Sequence, residues 1–171
     1  WITCSAERIF HDQLGTMCPH IDETDMDLLA NFKERFAERF AESALAPAEL
    51  AARIGVTPTS VYRSLEGKHI PPFAEFVKLA DLFRCSGDYL LGLTDEYAAI
   101  PFKEPPPFSE QIRFLLQHFC TSEYALHKNA EISRSLLHSW KKGMTCPSVP
   151  NLVKLAALFG CSVEFVIGRD S

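Results

Sequence analysis

Residues 47–72, PAELAARIGVTPTSVYRSLEGKHIPP, contain two short segments with apolar residues at helical spacing, joined by a corner. The small side chain of Ala51 lets two helices cross closely, and Gly55 can take the left-handed conformation that ends a helix without steric cost. Val56 can bury its side chain beneath the corner. The pattern therefore predicts a helix, a tight turn and a second helix.

The start of the second helix carries two independent signals. Thr57 is a suitable N-cap, and Pro58 occupies the first helical position, where a missing N–H costs nothing. Val61 and Leu65 then lie on one face of the helix. We expect a helix that begins at residue 58 and presents its polar side to solvent.

The chain repeats itself at a constant offset of 76 residues. The matches are Phe32 with Phe108, Leu50 with Leu126, Gly67 with Gly143, Pro71 with Pro147, the run 77–80 with 153–156, Leu82-Phe83 with Leu158-Phe159, Cys85-Ser86 with Cys161-Ser162, and Gly92 with Gly168. One register sustained over this span indicates two copies of one unit of about 65 residues, near the small end of independently folding domains.

The repeat sets the predicted boundaries. The first unit covers residues 28–93 and the second covers residues 108–171, with a semi-rigid linker at 94–107 that contains four prolines. Residues 1–27 are acidic and lack a sustained apolar period, which leaves a solvated leader and a short amphipathic helix as alternatives. Apolar residues at helical spacing predict five short helices in each unit, and therefore an all-α fold.

Both units resemble the lambda-repressor-like, Cro-type (XRE) family of helix-turn-helix transcriptional regulators. The resemblance rests on LAARIGVTPTSVYRSLEGKHIPP with FVKLADLFRCSGDYLLGLTD in the first unit, and on ISRSLLHSWKKGMTCPS with NLVKLAALFGCSVEFVIGRD in the second. It covers nearly all of residues 28–171 and implies two tandem five-helix domains. It also implies that the second helix of each motif enters the major groove of double-stranded DNA, while nearby groups contact phosphates.

The resemblance carries over specific residues for reading bases. In the first unit these are Pro58, Thr59, Ser60, Tyr62 and Arg63, and in the second they are Arg134, Ser135, Leu136 and His138. Arg134 is the strongest of them, because arginine at the start of a recognition helix can bind guanine through two hydrogen bonds. The alternative is that Arg134 contacts only phosphate.

Phosphate contacts would come from residues at the helix starts and the following loops. These are Thr57, Lys68 and His69 in the first unit, and Ser133, Lys141 and Lys142 in the second, helped by backbone amides at helix N-termini. For Lys141 and Lys142 an ordinary solvated surface is the alternative. Trp140 is predicted to pack in the core with its indole N–H near the surface.

Three departures from the family pattern bear on function. Pro47 and Glu123 stand where the family often has a glutamine that holds a phosphate, and the carboxylate of Glu123 would repel the DNA backbone. In the second unit, His127 replaces the small residue of the corner and Glu131 replaces the glycine, so this corner is expected to be splayed or strained. Either unit could therefore have lost its contact with DNA.

Charge and composition narrow the function classes. The net charge of −5 divides into −5 for residues 1–27, −1 for 28–95, −1 for 96–106 and +2 for 107–171. The acidity therefore belongs mainly to the leader, and the second unit is compatible with phosphate contact. Neither a long apolar run nor a secretory signal pattern occurs, and we expect a cytoplasmic protein without membrane contact. The resemblance implies a nucleoid-associated protein of the bacterial or phage type.

The six cysteines are spread through a chain that has enough apolar residues for its cores, so disulfides are not needed. Cys4, His11, Cys18 and His20 lack the close paired spacing of zinc ligands. Cys85 and Cys161 are interpreted as small buried hydrophobes. No phosphate loop or nucleophile motif occurs, so we expect neither enzymatic activity, nor a cofactor, a metal or a small-molecule ligand.

Two functions from different classes remain. The leading hypothesis is a regulator whose two units read two half-sites from one polypeptide, or whose homodimer does so. The alternative is a protein-interaction or dimerisation module in which one or both units no longer bind DNA. Salt dependence discriminates them, because binding to DNA releases counterions.

Overall fold

The computed structural model describes residues 21–97 and 102–169, which form ten helices. The first unit contains α1 (Ile21–Ser43), α2 (Pro47–Ile54), α3 (Pro58–Leu65), α4 (Phe73–Phe83) and α5 (Gly87–Leu90). The second unit contains α6 (Phe108–His118), α7 (Glu123–Asn129), α8 (Arg134–Lys141), α9 (Val149–Phe159) and α10 (Val163–Ile167). The described ranges contain no strand, and the predicted all-α fold with five helices in each unit is confirmed.

The first helix begins inside the segment that the sequence left open between a solvated leader and a short helix. α1 runs without interruption from Ile21 to Ser43, so residues 21–27 are helical and continuous with the first unit. Residues 1–20, which include Cys4, His11, Cys18 and His20, lie outside the described residues.

Hydroxyl side chains fix where five of the helices start. Thr57, Ser86, Ser122, Ser133 and Ser162 each accept a hydrogen bond from the backbone N–H three residues further on, at 3.0 to 3.2 Å. Each cap satisfies one of the amide groups that a helix leaves without a partner, and replacing such a cap by alanine typically costs about 1 kcal/mol. The N-cap predicted at Thr57 is confirmed.

Aromatic side chains join α1 to α4 in the core of the first unit. Phe32 and Phe36 are fully buried and stacked, with ring centroids 5.5 Å apart and planes inclined by 5°. Phe32 contacts Phe76 at 6.3 Å, and Phe36 contacts Phe83 at 6.0 Å between centroids. Such pairs add to the free energy gained from burying their area. They fix the platform on which α2 and α3 pack.

The second unit is built on the same plan with different side chains. Ile112 and Leu115 of α6 are fully buried. Phe119 stacks on Phe159 with centroids 4.6 Å apart, and Phe108 meets Trp140 edge to face at 5.7 Å. The contact with Trp140 ties α6 directly to α8, so the core of this unit sets the position of that helix.

The two units meet through α5 and α10. The carboxylate of Asp88 accepts hydrogen bonds from the N–H groups of Val163 at 2.9 Å and Glu164 at 3.2 Å, while the carboxylate of Glu164 accepts one from the N–H of Gly87. Gly87 and Asp88 occupy the same positions of the repeat as Val163 and Glu164. One contact is therefore made in both directions, which is the signature of a two-fold relation between like surfaces. We call this arrangement the pseudo-two-fold interface.

One ion pair breaks the symmetry of this interface. Arg169 is only 1% exposed, forms an ion pair with Asp81 of α4 in the first unit, and has its Nε 3.6 Å from the carboxylate of Glu164. In the repeat, Leu93 is equivalent to Arg169, and Ala157 is equivalent to Asp81. The ion pair between Asp81 and Arg169 therefore has no symmetric copy.

The described parts of the linker are packed against the two units. The hydroxyl of Tyr97 donates a hydrogen bond to the carbonyl of Phe83 at 3.1 Å, and the guanidinium of Arg39 lies 4.7 Å from the centre of its ring. On the other side, the guanidinium of Arg169 lies 4.7 Å from the ring centre of Phe102. Residues 94–97 are thus anchored to the first unit, and residue 102 to the second.

Candidate nucleic-acid interface

The corner between α2 and α3 has the geometry that the sequence predicts. Ala51 is 1% exposed, and Gly55 caps α2 in the left-handed conformation with φ of 84°. The N–H groups of Gly55 and Val56 both donate to the carbonyl of Ala51, at 2.9 and 3.0 Å. Val56 is half-buried against the core. The corner fixes α3 with one side packed and the other side open.

The open side of α3 carries most of the residues predicted to read bases in the first unit. Pro58, Thr59, Tyr62 and Arg63 are exposed, and Ser60 is half-buried. Val61 and Ser64, which alternate with them, are buried. A large aromatic side chain such as Tyr62, 54% exposed, can provide both apolar contact area and a hydroxyl to a partner surface.

The second unit forms the same corner with Glu131 in place of the glycine. Glu131 takes the left-handed conformation with φ of 55°, which is strained for a residue that carries a Cβ. Nδ1 of His127 lies 3.0 Å from the carbonyl oxygen of Ile132, which gives the turn a side-chain partner. Ile132 is buried, and Ser133 caps α8. Of the two expected outcomes, strain is observed at Glu131.

The open side of α8 is more polar than that of α3. Arg134, Ser135 and His138 are exposed, with Arg134 at the first helical position. The oxygen of Ser135 lies 3.2 Å from that of the capping Ser133. Leu136 is half-buried and packs against the core, so only part of its side chain faces outward.

The position of Trp140 differs in part from the predicted one. It is in the core, as expected, but its side chain is fully buried, and its indole N–H has no hydrogen-bond partner among the described residues. The expectation that this N–H lies near the surface is wrong, because Trp140 packs inward against Phe108 of α6.

Little uncompensated positive charge lies at the predicted phosphate contacts of the first unit. Lys68 is exposed, but its ammonium is 2.7 Å from the carboxylate of Glu66. His69 is half-buried, and burial, followed by the nearby charge of Arg63, lowers the pKa of its imidazole. His69 is therefore neutral at pH 7. The exposed hydroxyl of Thr57 already accepts the N-cap hydrogen bond and can still donate one.

In the second unit, Glu123 lies beside one of the predicted phosphate ligands. Its carboxylate pairs with Lys141, and Arg113 donates a hydrogen bond to the carbonyl of Lys141 near the end of α8. The acidic group thus neutralises a predicted phosphate ligand. Arg134 and Lys142 are exposed, and within the described part of the chain neither side chain has an ion pair.

A groove separates the loops that follow α3 and α8. It has a volume of about 600 Å³ and is lined by residues 69–75 of the first unit and 145–150 of the second, which are equivalent segments of the repeat. Gly67 and Gly143 take nearly the same left-handed conformation just after α3 and α8, with φ of 71° and 70°. The chain therefore leaves α3 and α8 with the same turn, and the two loops that follow line the groove together.

The carboxylates of the pseudo-two-fold interface were not among the predicted site residues. Asp88 and Glu164 join the two units, and the sequence contains a signal for both. Each is an acidic residue two positions after a capping serine, Ser86 or Ser162, at the same place in the repeat. Read alone, such an acid indicates a favourable interaction with its own helix N-terminus, which conceals its contact with the other unit.

Fold and site together define an all-α protein with two helix-turn-helix motifs in tandem. A sequence profile of the helix-turn-helix family matches residues 44–90 and again residues 122–166. The chain belongs to this family of DNA-binding domains, as the Cro-type resemblance implied. Neither the curated proteins nor the solved structures include a match to the chain. Within the described ranges, the helices are too short or too polar to cross a membrane.

Proposed function

We propose that the chain is a sequence-specific regulator of transcription that binds double-stranded DNA and reads half-sites through α3 and α8. The observation that carries this proposal is the exposed guanidinium of Arg134, unpaired within the described part of the chain. It stands exposed at the first position of α8 without an ion pair among the described residues, on a helix anchored by the buried Leu137 and Trp140. A guanidinium held in this way is free to donate two hydrogen bonds to the edge of a guanine.

The arrangement of the two motifs supports the same function. Thr57 and Ser133 cap α3 and α8, so each helix begins at a defined residue. The side chains on the open faces are mainly hydroxyls, a phenol, an imidazole and guanidinium groups, which suit hydrogen bonding to base edges and phosphates. Lys142 adds a positive charge without an ion pair in the described part of the chain just after α8.

The test is selection from a pool of random duplexes at low and near-physiological salt, followed by fluorescence anisotropy on the enriched duplex. We expect Arg134→Ala to weaken binding by roughly 5- to 150-fold, which corresponds to about 1–3 kcal/mol for one bidentate base contact. Arg134→Lys keeps the charge but loses the planar fork, so it separates a guanine contact from a phosphate contact.

If Arg134 reads guanine, Arg134→Lys loses the base preference at that position. If it contacts only phosphate, Arg134→Lys keeps both affinity and preference. The matched control is Lys103→Ala, which removes an exposed positive charge from the linker outside both motifs. We expect it to bind like the wild type. Failure to enrich any duplex at either salt concentration would refute the proposed function.

A second candidate function is that of a protein-docking or dimerisation module. The pairing of Lys68 with Glu66 and of Lys141 with Glu123 favours it, because both pairs reduce the positive charge beside the recognition helices. Salt separates the two functions. Binding to DNA weakens steeply with ionic strength as counterions are released, whereas a docking module would enrich no duplex.

A further inference from the structure

We infer that one copy of this chain is a complete reading unit that places α3 and α8 on one duplex, at two unlike half-sites, without a second copy. This inference rests on the proposed function and adds to it the stoichiometry and the asymmetry of the DNA site. Three observations carry it: the pseudo-two-fold interface, the groove beside the recognition helices, and the difference between the two helix faces.

The first observation is that the units are already paired as the subunits of a dimer would be. Asp88 accepts hydrogen bonds from the first amides of α10, and Glu164 accepts one from the first amide of α5. Glu164 is 3% exposed, so the contact is buried. The surface through which either unit could join a second copy in this way is therefore occupied within the chain.

The asymmetric ion pair makes the pairing of unlike units preferable to the pairing of like units. Two first units would meet with Leu93 in place of Arg169, and Asp81 would have no cation. Two second units would bury Arg169 opposite Ala157, without the carboxylate of Asp81. In such a pair Arg169 keeps only Glu164 of its own unit, 3.6 Å from its Nε, and a buried charge that loses one of its two partners is unfavourable. Because the linker keeps the unlike units together at high effective concentration, they pair within one chain.

The second observation is the position of the recognition helices relative to the axis. A two-fold axis passes midway between equivalent segments, and hence between α5 and α10 and through the groove between residues 69–75 and 145–150. α3 ends at Leu65 and α8 at Lys141, each four residues before its side of the groove. The helices therefore flank the axis on opposite sides at the groove, the arrangement that two half-sites on one duplex require.

The third observation is that the two helix faces differ at every predicted reading position. The equivalent pairs are Pro58 and Arg134, Thr59 and Ser135, Ser60 and Leu136, Tyr62 and His138, and Arg63 and Ser139. A homodimer presents identical helices and reads a palindrome, because its symmetry matches that of the site. This chain presents two different helices, so the site it reads is not a palindrome.

The experiment measures the mass of the complex between the full chain and the duplex recovered from the selection, by native mass spectrometry and by titration at concentrations well above Kd. We expect one chain on one duplex, with two unlike half-sites whose centres are about 10 base pairs apart. Arg134→Ala should alter the base preference in one half-site only, and Tyr62→Ala in the other half-site only.

A second pair of variants tests the interface. Asp81→Ala removes the partner of Arg169, and its side chain is 55% exposed, so the substitution leaves the core of α4 intact. We expect it to weaken binding to the full site at least fivefold, and to leave binding to each isolated half-site unchanged. The control is Asp95→Ala, which removes an ion pair between the start of the linker and Arg35 of the first unit. It should bind both kinds of duplex like the wild type.

The outcomes separate this inference from the proposed function. An enriched palindrome bound by two chains, or an Asp81→Ala variant that binds the full site like the wild type, would overturn the inference and leave the DNA-binding function standing. Failure to enrich any duplex would overturn the function and the inference together. A one-to-one complex on an asymmetric site, sensitive to both α3 and α8, would establish it.

Discussion

The strained corner at Glu131 gives a prediction whose magnitude follows from backbone geometry. Replacing Glu131, with its φ of 55°, by glycine removes the clash of the Cβ with the following carbonyl, which costs roughly 1–2 kcal/mol per residue in this conformation. Glycine also loses more conformational entropy on folding, which offsets roughly 0.5–1 kcal/mol of that gain. We therefore expect Glu131→Gly to raise the free energy of unfolding by about 0.5–1 kcal/mol.

The assay is urea unfolding followed through the fluorescence of Trp140, which is buried near the end of α8, the helix that follows this corner, in a Trp1→Phe background. With a slope of about 1–2 kcal/mol per molar urea, the midpoint should rise by roughly 0.3–1 M. The matched control is Glu131→Ala, which removes the carboxylate but keeps the Cβ, and should show no such gain. The reciprocal variant Gly55→Ala should lower stability, because Gly55 has φ of 84°.

The reasoning would be refuted if Glu131→Gly were no more stable than Glu131→Ala. In that case the left-handed conformation would not be the source of strain, and the second corner would be stabilised by contacts such as that between His127 and the carbonyl of Ile132. A relaxed corner should also leave the direction of α8 unchanged, so under the proposed function Glu131→Gly should keep the base preference of the wild type.

Three further predictions concern titration, thiol reactivity and salt. Burial raises the pKa of Glu164, so its carboxyl group holds a proton more tightly in the folded chain than in the unfolded chain. The wild type should therefore lose stability relative to Glu164→Gln as the pH rises from about 4.5. Urea midpoints of the two proteins that change equally with pH would contradict this. Burial raises the pKa of Cys85 to about 12, so at about pH 8 a maleimide should modify the exposed Cys146 far faster, as mapped by mass spectrometry, and equal rates would count against the packing. Lys142→Gln should reduce the slope of log affinity for DNA against log salt by about 1, because one positive charge is removed. His69→Gln removes a neutral imidazole and should leave this slope unchanged. Identical slopes for the two variants would contradict the assignment of a charge to Lys142 and of none to His69.

The sequence predicts the helices of this fold well because their signals are local. Thr57, Pro58 and Gly55 mark where α3 begins and α2 ends, and each acts through its own backbone or through an amide three residues away. The repeat then transfers the prediction to the second unit, where Ser133 caps α8 although the glycine of the corner is missing. Local chemistry and repetition were sufficient for the count and the order of the helices.

The start of α1 was left open because the same residues fit two structures. The acidic composition of residues 1–27 is typical of a solvated segment, yet acidic residues also favour the N-terminus of a helix. α1 begins at Ile21, ahead of the region where the apolar spacing of Leu28, Phe32 and Phe36 becomes clear. Periodicity alone therefore places the start of this helix too late.

The charges of the candidate site could not be read from the sequence because they depend on distant neighbours. Glu123 was expected to repel phosphate, but it pairs with Lys141, 18 residues away. The N–H of Trp140 was expected near the surface, but α6 covers it. The contacts of Asp88 with α10 span 75 and 76 residues. No pattern in the sequence specifies which of these side chains meet until the tertiary packing is known.

The unlike faces of α3 and α8 have an evolutionary consequence. In a symmetric repressor, one codon change alters both halves of the operator at once, so every promoter in the regulon must adapt on both sides. Here Tyr62 and His138 occupy equivalent positions but have separate codons. Under the proposed function, in which each helix reads its own half-site, selection can therefore change the preference of one half while the other half keeps the protein at its existing targets.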